Sequence, residues 1–295
     1  MGKAVSLDWV GQNRPSGTSI SYQSVCYGNG LYVAVGNGTN AIHTSPEGKS
    51  WTARAIASNY WNAACYGAAA NRFVVVASSG SSTRIAYSTG GTAWSFISSA
   101  SFNNAWVSVA YGNGIYVAVG VGNSVNNIAR SVDGINWTSI NDTAKYGRVI
   151  YANGLFIIMR SDGQLFKTST DGISWNTIYP SLNYESLSDI FYANGLYFTH
   201  EYNSGTYYLS TSADLINWSP IFSTGANMSA LAFGNGLYVS VCSTSSKTSI
   251  NGTAWKDTGL IPSGTWVSAC YAPDLKRFVA VGSNSLGVAI ATLDY

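Results

Sequence analysis

The sequence predicts an all-β fold: a single seven-bladed β-propeller of four-stranded antiparallel blades spanning residues 1–295. Two recurring patterns carry this prediction. An aromatic residue followed by a turn and an apolar run occurs seven times, and a Ser six residues before a Trp occurs six times between those copies. A period of about 40 residues that holds four strand-sized segments is typical of a propeller, which builds one domain by radial repetition.

The aromatic pattern marks the end of the innermost strand of each blade. In five copies the aromatic residue is followed by Gly or Ala and then by Asn-Gly. Asn-Gly suits a two-residue hairpin, because both residues tolerate positive φ angles. The innermost strands are therefore predicted to end at Tyr27, Tyr66, Tyr111, Tyr151, Tyr192, Phe233 and Tyr271.

The Ser-to-Trp pattern marks the entry to the outermost strand of each blade. The last repeat reaches Tyr295 without this pattern, while Ser6-Leu-Asp-Trp9 stands about one repeat length before Trp51. We therefore expect residues 4–12, which include Trp9, to supply the outer strand of blade 7 and close the ring.

The turn motif also carries a family resemblance. Ser131-Val-Asp-Gly-Ile-Asn-Trp137 and its copies resemble the Asp-box hairpin of BNR-type propellers, a family that includes sialidases and many non-enzymatic proteins. More loosely, the repeats look like those of phage tail and other virion proteins. The copies are one residue shorter than the usual Asp-box, and Glu47, Gly90 and Asn251 replace its Asp. The resemblance implies ligand binding around the channel mouth, on the face of the irregular loops.

Composition narrows the function classes. Charged residues make up 9% of the chain and the net charge is +2, which favours neither nucleic acid nor an anionic membrane as a partner. Hydrophobic residues make up 46%, which excludes a disordered chain. We predict no disulfide, no metal site, no cofactor and no membrane insertion. Without a signal-peptide pattern, the expected location is a virion if the source is a phage, and the cytoplasm otherwise.

A ring of large side chains is the first candidate site. One residue in each repeat lies five positions before the landmark aromatic residue, and five of these are themselves aromatic. Two interpretations are open: a platform on which sugar faces or flat ligands stack, or a plug that fills the gaps between blades. The five residues are Tyr22, Trp61, Trp106, Tyr146 and Trp266.

Blades 4 and 5 form the second candidate site, because they depart from the repeat. Arg160, His200 and Glu201 stand near the ends of the second strands, and Arg148 and Asp189 lie where other repeats have Ser or Ala. Two interpretations are again open. These residues could form a polar subsite for a hydroxyl or carboxylate group, or Arg148 and Asp189 could compensate each other as an internal ion pair.

Three functional hypotheses follow. The first is a non-enzymatic binding module, lectin-like or receptor-binding, that is virion- or surface-associated and holds a glycan or other host-surface receptor at the channel mouth. The second is a structural propeller that contacts other virion or assembly proteins. The third, a sialidase-like glycosidase, is disfavoured because the chain has three Glu residues and few Arg near that face, namely Arg84, Arg148 and Arg160. The oligomeric state is left open.

Overall fold

The computed structural model describes residues 7–15, 20–80, 83–97, 102–122, 125–181, 186–223, 230–283 and 287–293. The regular elements of these residues are β-strands, as the period-2 and fully apolar segments predict. The strands of the first half of the chain are β1 (Val10–Gln12), β2 (Ser21–Gly28), β3 (Leu31–Asn37), β4 (Ile42–Ser45), β5 (Thr52–Arg54), β6 (Tyr60–Gly67), β7 (Arg72–Ser79), β8 (Ile85–Ser88), β9 (Ser95–Phe96), β10 (Trp106–Gly112), β11 (Ile115–Gly120), β12 (Ile128–Ser131) and β13 (Trp137–Ile140).

The strands of the second half continue the same pattern. They are β14 (Tyr146–Ala152), β15 (Leu155–Arg160), β16 (Phe166–Ser169), β17 (Asn176–Ile178), β18 (Ser186–Leu187), β19 (Phe191–Ala193), β20 (Leu196–Asn203), β21 (Thr206–Ser212), β22 (Ser219–Ser223), β23 (Leu231–Gly234), β24 (Leu237–Val241), β25 (Ser245–Ser249), β26 (Lys256–Leu260), β27 (Trp266–Ala272), β28 (Arg277–Gly282) and β29 (Val288–Thr292).

The sheets are antiparallel meanders arranged as a propeller. Five of them have the size of a single blade: β10–β13, β14–β17, β18–β22, β23–β26, and β27–β29 together with β1. The β18–β22 blade counts five strands because its innermost strand is split into β18 and β19, which both pair with β20. The innermost strands lie next to one another around a central channel, and β2 packs against β27.

The prediction of seven separate blades is wrong. The described residues show five separate blades, and the strands of the first two repeats, β2 to β9, form one continuous eight-stranded sheet. The join is a single pair, Asn37 of β3 with Tyr60 of β6. Strand β4 pairs with β3 only as far as Val35, so the outer edge of Asn37 is open to Tyr60.

The N-terminal segment lies in the same sheet as the C-terminal strand. Val10 of β1 pairs with Ile290 of β29, and the pairing is antiparallel. Trp9 is buried in the cluster that also contains Trp266 and Phe278. Of the segment 4–12, which was expected to form an outer strand, residues 4–6 lie outside the described residues, and the strand itself begins at Val10.

The hydrophobic core lies between neighbouring sheets. The second strand of most repeats is apolar on both sides, and β11 is buried along its full length. One core cluster joins Val74 and Val76 of β7 to Tyr116 and Ala118 of β11. Burial of both faces explains why these strands are continuous apolar runs rather than alternating ones.

The Ser-to-Trp turns are capped by their own side chains. Ser131 Oγ accepts a hydrogen bond from the Gly134 amide at 2.8 Å, and Asp133 Oδ1 accepts from the Ile135 and Asn136 amides at 2.8 and 2.7 Å. Trp137 Nε1 donates to the Gly134 carbonyl at 3.1 Å. The motif therefore satisfies the backbone groups of a tight turn, which is a structural role.

One of these turns is expected to make stability pH-dependent. Partial burial opposes ionisation of Asp133, but hydrogen bonds from Asn136, Ile135 and Ser131 outweigh it and hold its pKa at about 2. A carboxyl with a pKa below the unfolded value of about 4 adds stability above that pH and loses it as the pH falls through its folded pKa. We expect Asp133→Asn to reduce the decline in unfolding free energy between pH 4 and pH 2, measured by urea denaturation across pH 2–7.

The chain contains its own control for this substitution. Asn251 occupies the equivalent position of another turn and accepts hydrogen bonds from the Thr253 and Ala254 amides at 3.0 and 2.9 Å. The Asn side chain therefore supports the turn without titrating. The reverse change, Asn251→Asp, should steepen the same decline. An unchanged acid slope in both variants would contradict this role for the carboxylates.

Candidate functional site

A cavity of about 270 Å³ lies on the axis of the propeller, lined by the innermost strands of all the repeats. Its walls combine apolar side chains with one ring of small or polar ones. The ring is the third position of each innermost strand, counted from the large residue that begins it. Its members, in chain order, are Ser24, Ala63, Ser108, Arg148, Asp189, Ala230 and Ser268.

The serines of this ring connect neighbouring strands. Ser268 Oγ accepts a hydrogen bond from the Val25 amide at 3.1 Å, and Ser108 Oγ accepts one from the Val149 amide at 3.1 Å. The free edge of an innermost strand exposes backbone N–H groups that need a partner, and a hydroxyl of the preceding repeat supplies it. The ring serines therefore have a structural role, and repetition at one position was the signal for it in the sequence.

Arg148 and Asp189 replace small residues of this ring and form an ion pair. Arg148 Nε lies 3.1 Å from Asp189 Oδ1, and each side chain is 40% exposed. The N–H of Nε is not aligned for a hydrogen bond, and the two terminal amino groups of Arg148 make none with the described residues. Arg148 and Asp189 therefore compensate each other's charge. Much of both side chains is still open to the cavity.

The break between β18 and β19 fixes the position of Asp189. The Ser188 amide still donates to the His200 carbonyl at 2.9 Å, but the Ile190 amide donates to Asp189 Oδ1 at 2.7 Å. Thr199 Oγ1 donates to the Asp189 carbonyl at 2.5 Å. One carboxylate oxygen is therefore occupied by the backbone and by Arg148, while Oδ2 has no hydrogen-bond partner among the described residues.

The other candidates from blades 4 and 5 separate into different environments. His200 is 4% exposed and lines the cavity, and its buried Nε2 has no partner among the described residues. Burial lowers the pKa of His200 to about 4, against an opposing effect of the Asp189 charge, so the imidazole is neutral at pH 7. Glu201 is buried away from the cavity, and burial raises its pKa. Arg160 pairs with Asp162 at 2.7 Å outside the cavity.

The five aromatic candidates are packed in the interior. Each is at most 1% exposed, so no exposed platform forms from their rings. Their polar atoms are used within the fold: the indoles of three of them donate to the backbone carbonyl four residues earlier, Tyr22 contacts His43 Nδ1 at 2.5 Å, and Tyr146 donates to Asp142 at 2.8 Å. The residues concerned are Tyr22, Trp61, Trp106, Tyr146 and Trp266.

The three arginines considered for a sialidase-like site lie in different surroundings. Arg148 lines the cavity and pairs with Asp189, whereas Arg160 pairs with Asp162 and Arg84 contacts the Ser78 carbonyl. Across the described ranges, no group of His, Cys, Asp and Glu side chains is placed to hold a metal, and the four cysteines are free. No helix in that part of the chain is long and apolar enough to span a membrane.

Comparison with known proteins supports the fold and leaves the family open. No protein-family model and no curated protein matches the sequence. Among solved structures, the chain is similar to YCF48 bound to a D1 peptide, with 16% identity, a TM-score of 0.74, and coverage of 99% of this chain and 98% of that one. YCF48 from Cyanidioschyzon merolae gives 17% identity, a TM-score of 0.71, and coverage of 97% and 98%.

An enzyme is also among the similar structures. Virginiamycin B lyase from Staphylococcus aureus matches with 9% identity, a TM-score of 0.78, and coverage of 98% of this chain and 99% of that one. Identities this low show a shared propeller fold and nothing of the chemistry, because unrelated functions use the same fold.

Proposed function

We propose that this protein is a non-enzymatic binding module that holds a segment of a partner protein at the mouth of its central channel. The observation that carries the proposal is the half-exposed Arg148–Asp189 pair in the channel cavity. A purely structural channel needs no charges, since Ser or Ala at the same position completes the other repeats. Polar groups held on rigid strands and directed into a cavity are typical of a binding site.

The kind of partner follows from what the cavity offers. Carbohydrate sites commonly present an exposed aromatic face, and the five large aromatic residues, for which such a platform was one of two interpretations, are buried. We therefore do not retain a glycan as the partner. YCF48, whose structure is similar, has been solved bound to a D1 peptide, which supports a polypeptide as the kind of partner proposed for this chain. A role as an assembly protein is compatible with this proposal, because assembly factors act by binding other proteins.

The absence of catalysis is part of the proposal. Arg148, Asp189, His200 and Tyr151 are the ionisable side chains that line the cavity. No nucleophile among them is hydrogen-bonded to a general base, an arrangement that covalent catalysis requires. Asp189 is engaged by Arg148 and by the Ile190 amide, and His200 Nε2 has no partner in the described structure.

The test is selection from a random peptide display library on the immobilised full-length protein. We expect peptides to be enriched, and Arg148→Ala to weaken their binding roughly tenfold or more, since it removes a charged hydrogen-bonding group from the site. The control is Arg54→Ala, because Arg54 lies on the outer strand β5 and donates to Thr44 Oγ1 outside the cavity. No enrichment, or equal binding by wild type and Arg148→Ala, would overturn the proposal.

A further inference from the structure

The hydrogen-bonding groups of Arg148 and Asp189 that have no partner within the fold determine which chemical group of a ligand fits beside them. The ion pair uses Arg148 Nε and Asp189 Oδ1, and the Ile190 amide shares that oxygen. The terminal amino groups of Arg148 and Oδ2 of Asp189 make no hydrogen bond with the described residues. A fork of donors and a single acceptor therefore stand side by side in the cavity wall.

A second polar group of the same cavity also lacks a partner. His200 is 4% exposed, it lines the cavity, and its Nε2 has no hydrogen bond among the described residues. A buried polar atom without a partner costs stability, and His200 Nε2 is such an atom. It lies in the same cavity as the half-exposed side chains of Arg148 and Asp189, and together the three residues indicate a site for a polar group from outside the chain.

From this arrangement we infer that the cavity recognises a neutral carboxamide group, the side chain of Gln or Asn in a bound polypeptide. This inference rests on the proposed function. The amide oxygen accepts from the terminal amino groups of Arg148, and the amide NH₂ donates to Asp189 Oδ2. A primary carboxamide carries one acceptor and two donors on adjacent atoms, so a single group can meet both residues.

Charge and size favour this ligand over the alternatives. Arg148 and Asp189 neutralise each other, so a charged ligand gains no net attraction from the pair. A carboxylate bound to Arg148 would be repelled by Asp189, and an ammonium group bound to Asp189 would be repelled by Arg148. The volume of about 270 Å³ is at the small end for ligand pockets, which suits one side chain rather than an extended segment. Val149, Ile190 and Leu231 line the same cavity and can pack against the methylene groups of that side chain.

The experiment uses the peptides selected on the full-length protein. We expect them to share a Gln or Asn at one position, and the change of that residue to Glu or Asp to weaken binding to wild type at least about tenfold, as expected when a polar site meets the wrong group. In Asp189→Asn the repelling charge is gone and Arg148 is an uncompensated cation. That variant should therefore prefer the acidic peptide over the amide peptide.

The outcomes separate this inference from the proposed function. If no peptide is enriched, both fail. If peptides are enriched without a shared amide, if Asp189→Asn keeps the wild-type preference, or if a neutral disaccharide displaces the peptide, the inference fails and the binding module stands. Asn can still accept from the Ile190 amide, and the thermal midpoint of Asp189→Asn shows whether the variant is folded. If Asp189 only supported the fold, Asp189→Asn would not be expected to reverse the preference from the amide peptide to the acidic peptide.

Discussion

Replacing Trp106 by alanine is expected to lower the free energy of unfolding by about 3–5 kcal/mol, the range for deleting a large buried aromatic side chain. Trp106 is fully buried in the cluster that contains Phe102, Tyr116 and Trp137. Its Nε1 donates to the Phe102 carbonyl at 2.8 Å, so the truncation also leaves a buried acceptor without its partner. Urea denaturation monitored by circular dichroism measures the loss.

This experiment also separates the two interpretations of the aromatic ring. If Trp106 is a packing residue, Trp106→Phe should recover much of the lost stability, because the ring volume is largely restored while the hydrogen bond to Phe102 is not. If Trp106 formed part of a ligand platform, Trp106→Ala would reduce ligand binding and leave the unfolding free energy within about 0.5 kcal/mol of wild type. That second result would contradict the buried position in the structure.

The sequence predicts the repeating architecture well because the determinants of that architecture are local. Each Asn-Gly pair that follows a landmark aromatic residue adopts positive φ angles, as at Asn113 and Gly114, so this hairpin turn can be recognised from a short local pattern. The join between β3 and β6 is different in kind. It depends on one contact between Asn37 and Tyr60, which belong to different repeats, and no periodicity in the chain encodes it. The predicted number of separate blades was wrong for this reason.

The site was predictable only where the repeat is broken. Arg148 and Asp189 stand out because their equivalents are Ser or Ala, and the structure brings them together at 3.1 Å. Arg160 and Glu201 stand out equally in the sequence but lie outside the cavity. The side chains of a strand alternate between its two sides, and the repeat pattern does not reveal which side faces the cavity. For the same reason, the exposure of Trp106 and its equivalents could not be inferred from their spacing.

Replacing Gly112 by alanine is expected to destabilise the protein by about 3 kcal/mol, at the upper end of the usual cost of overpacking. A Cβ atom at this position would lie 1.9 Å from Cγ of Tyr151, the landmark aromatic residue of the next repeat. The φ angle of Gly112 is not in the left-handed region, so the cost comes from this contact and not from backbone strain. The Tyr151 ring has to move away from β10, because β10 itself is held in place between the neighbouring innermost strands β6 and β14.

A double-mutant cycle with Tyr151→Ala tests this explanation. Tyr151→Ala removes the ring, so Gly112→Ala should cost much less in that background than in wild type, and the difference is the coupling energy between the two positions. Ala152 supplies the matched control, because the fourth repeat has Ala where the third has Gly112, and Ala152→Gly should cost about 1 kcal/mol. Equal costs of Gly112→Ala in both backgrounds would show that the glycine is required for a reason other than contact with the next blade. A large coupling would show that the Gly or Ala after each landmark aromatic residue is selected by how closely the neighbouring repeat approaches, which sets the spacing of the innermost strands around the channel that holds Arg148 and Asp189.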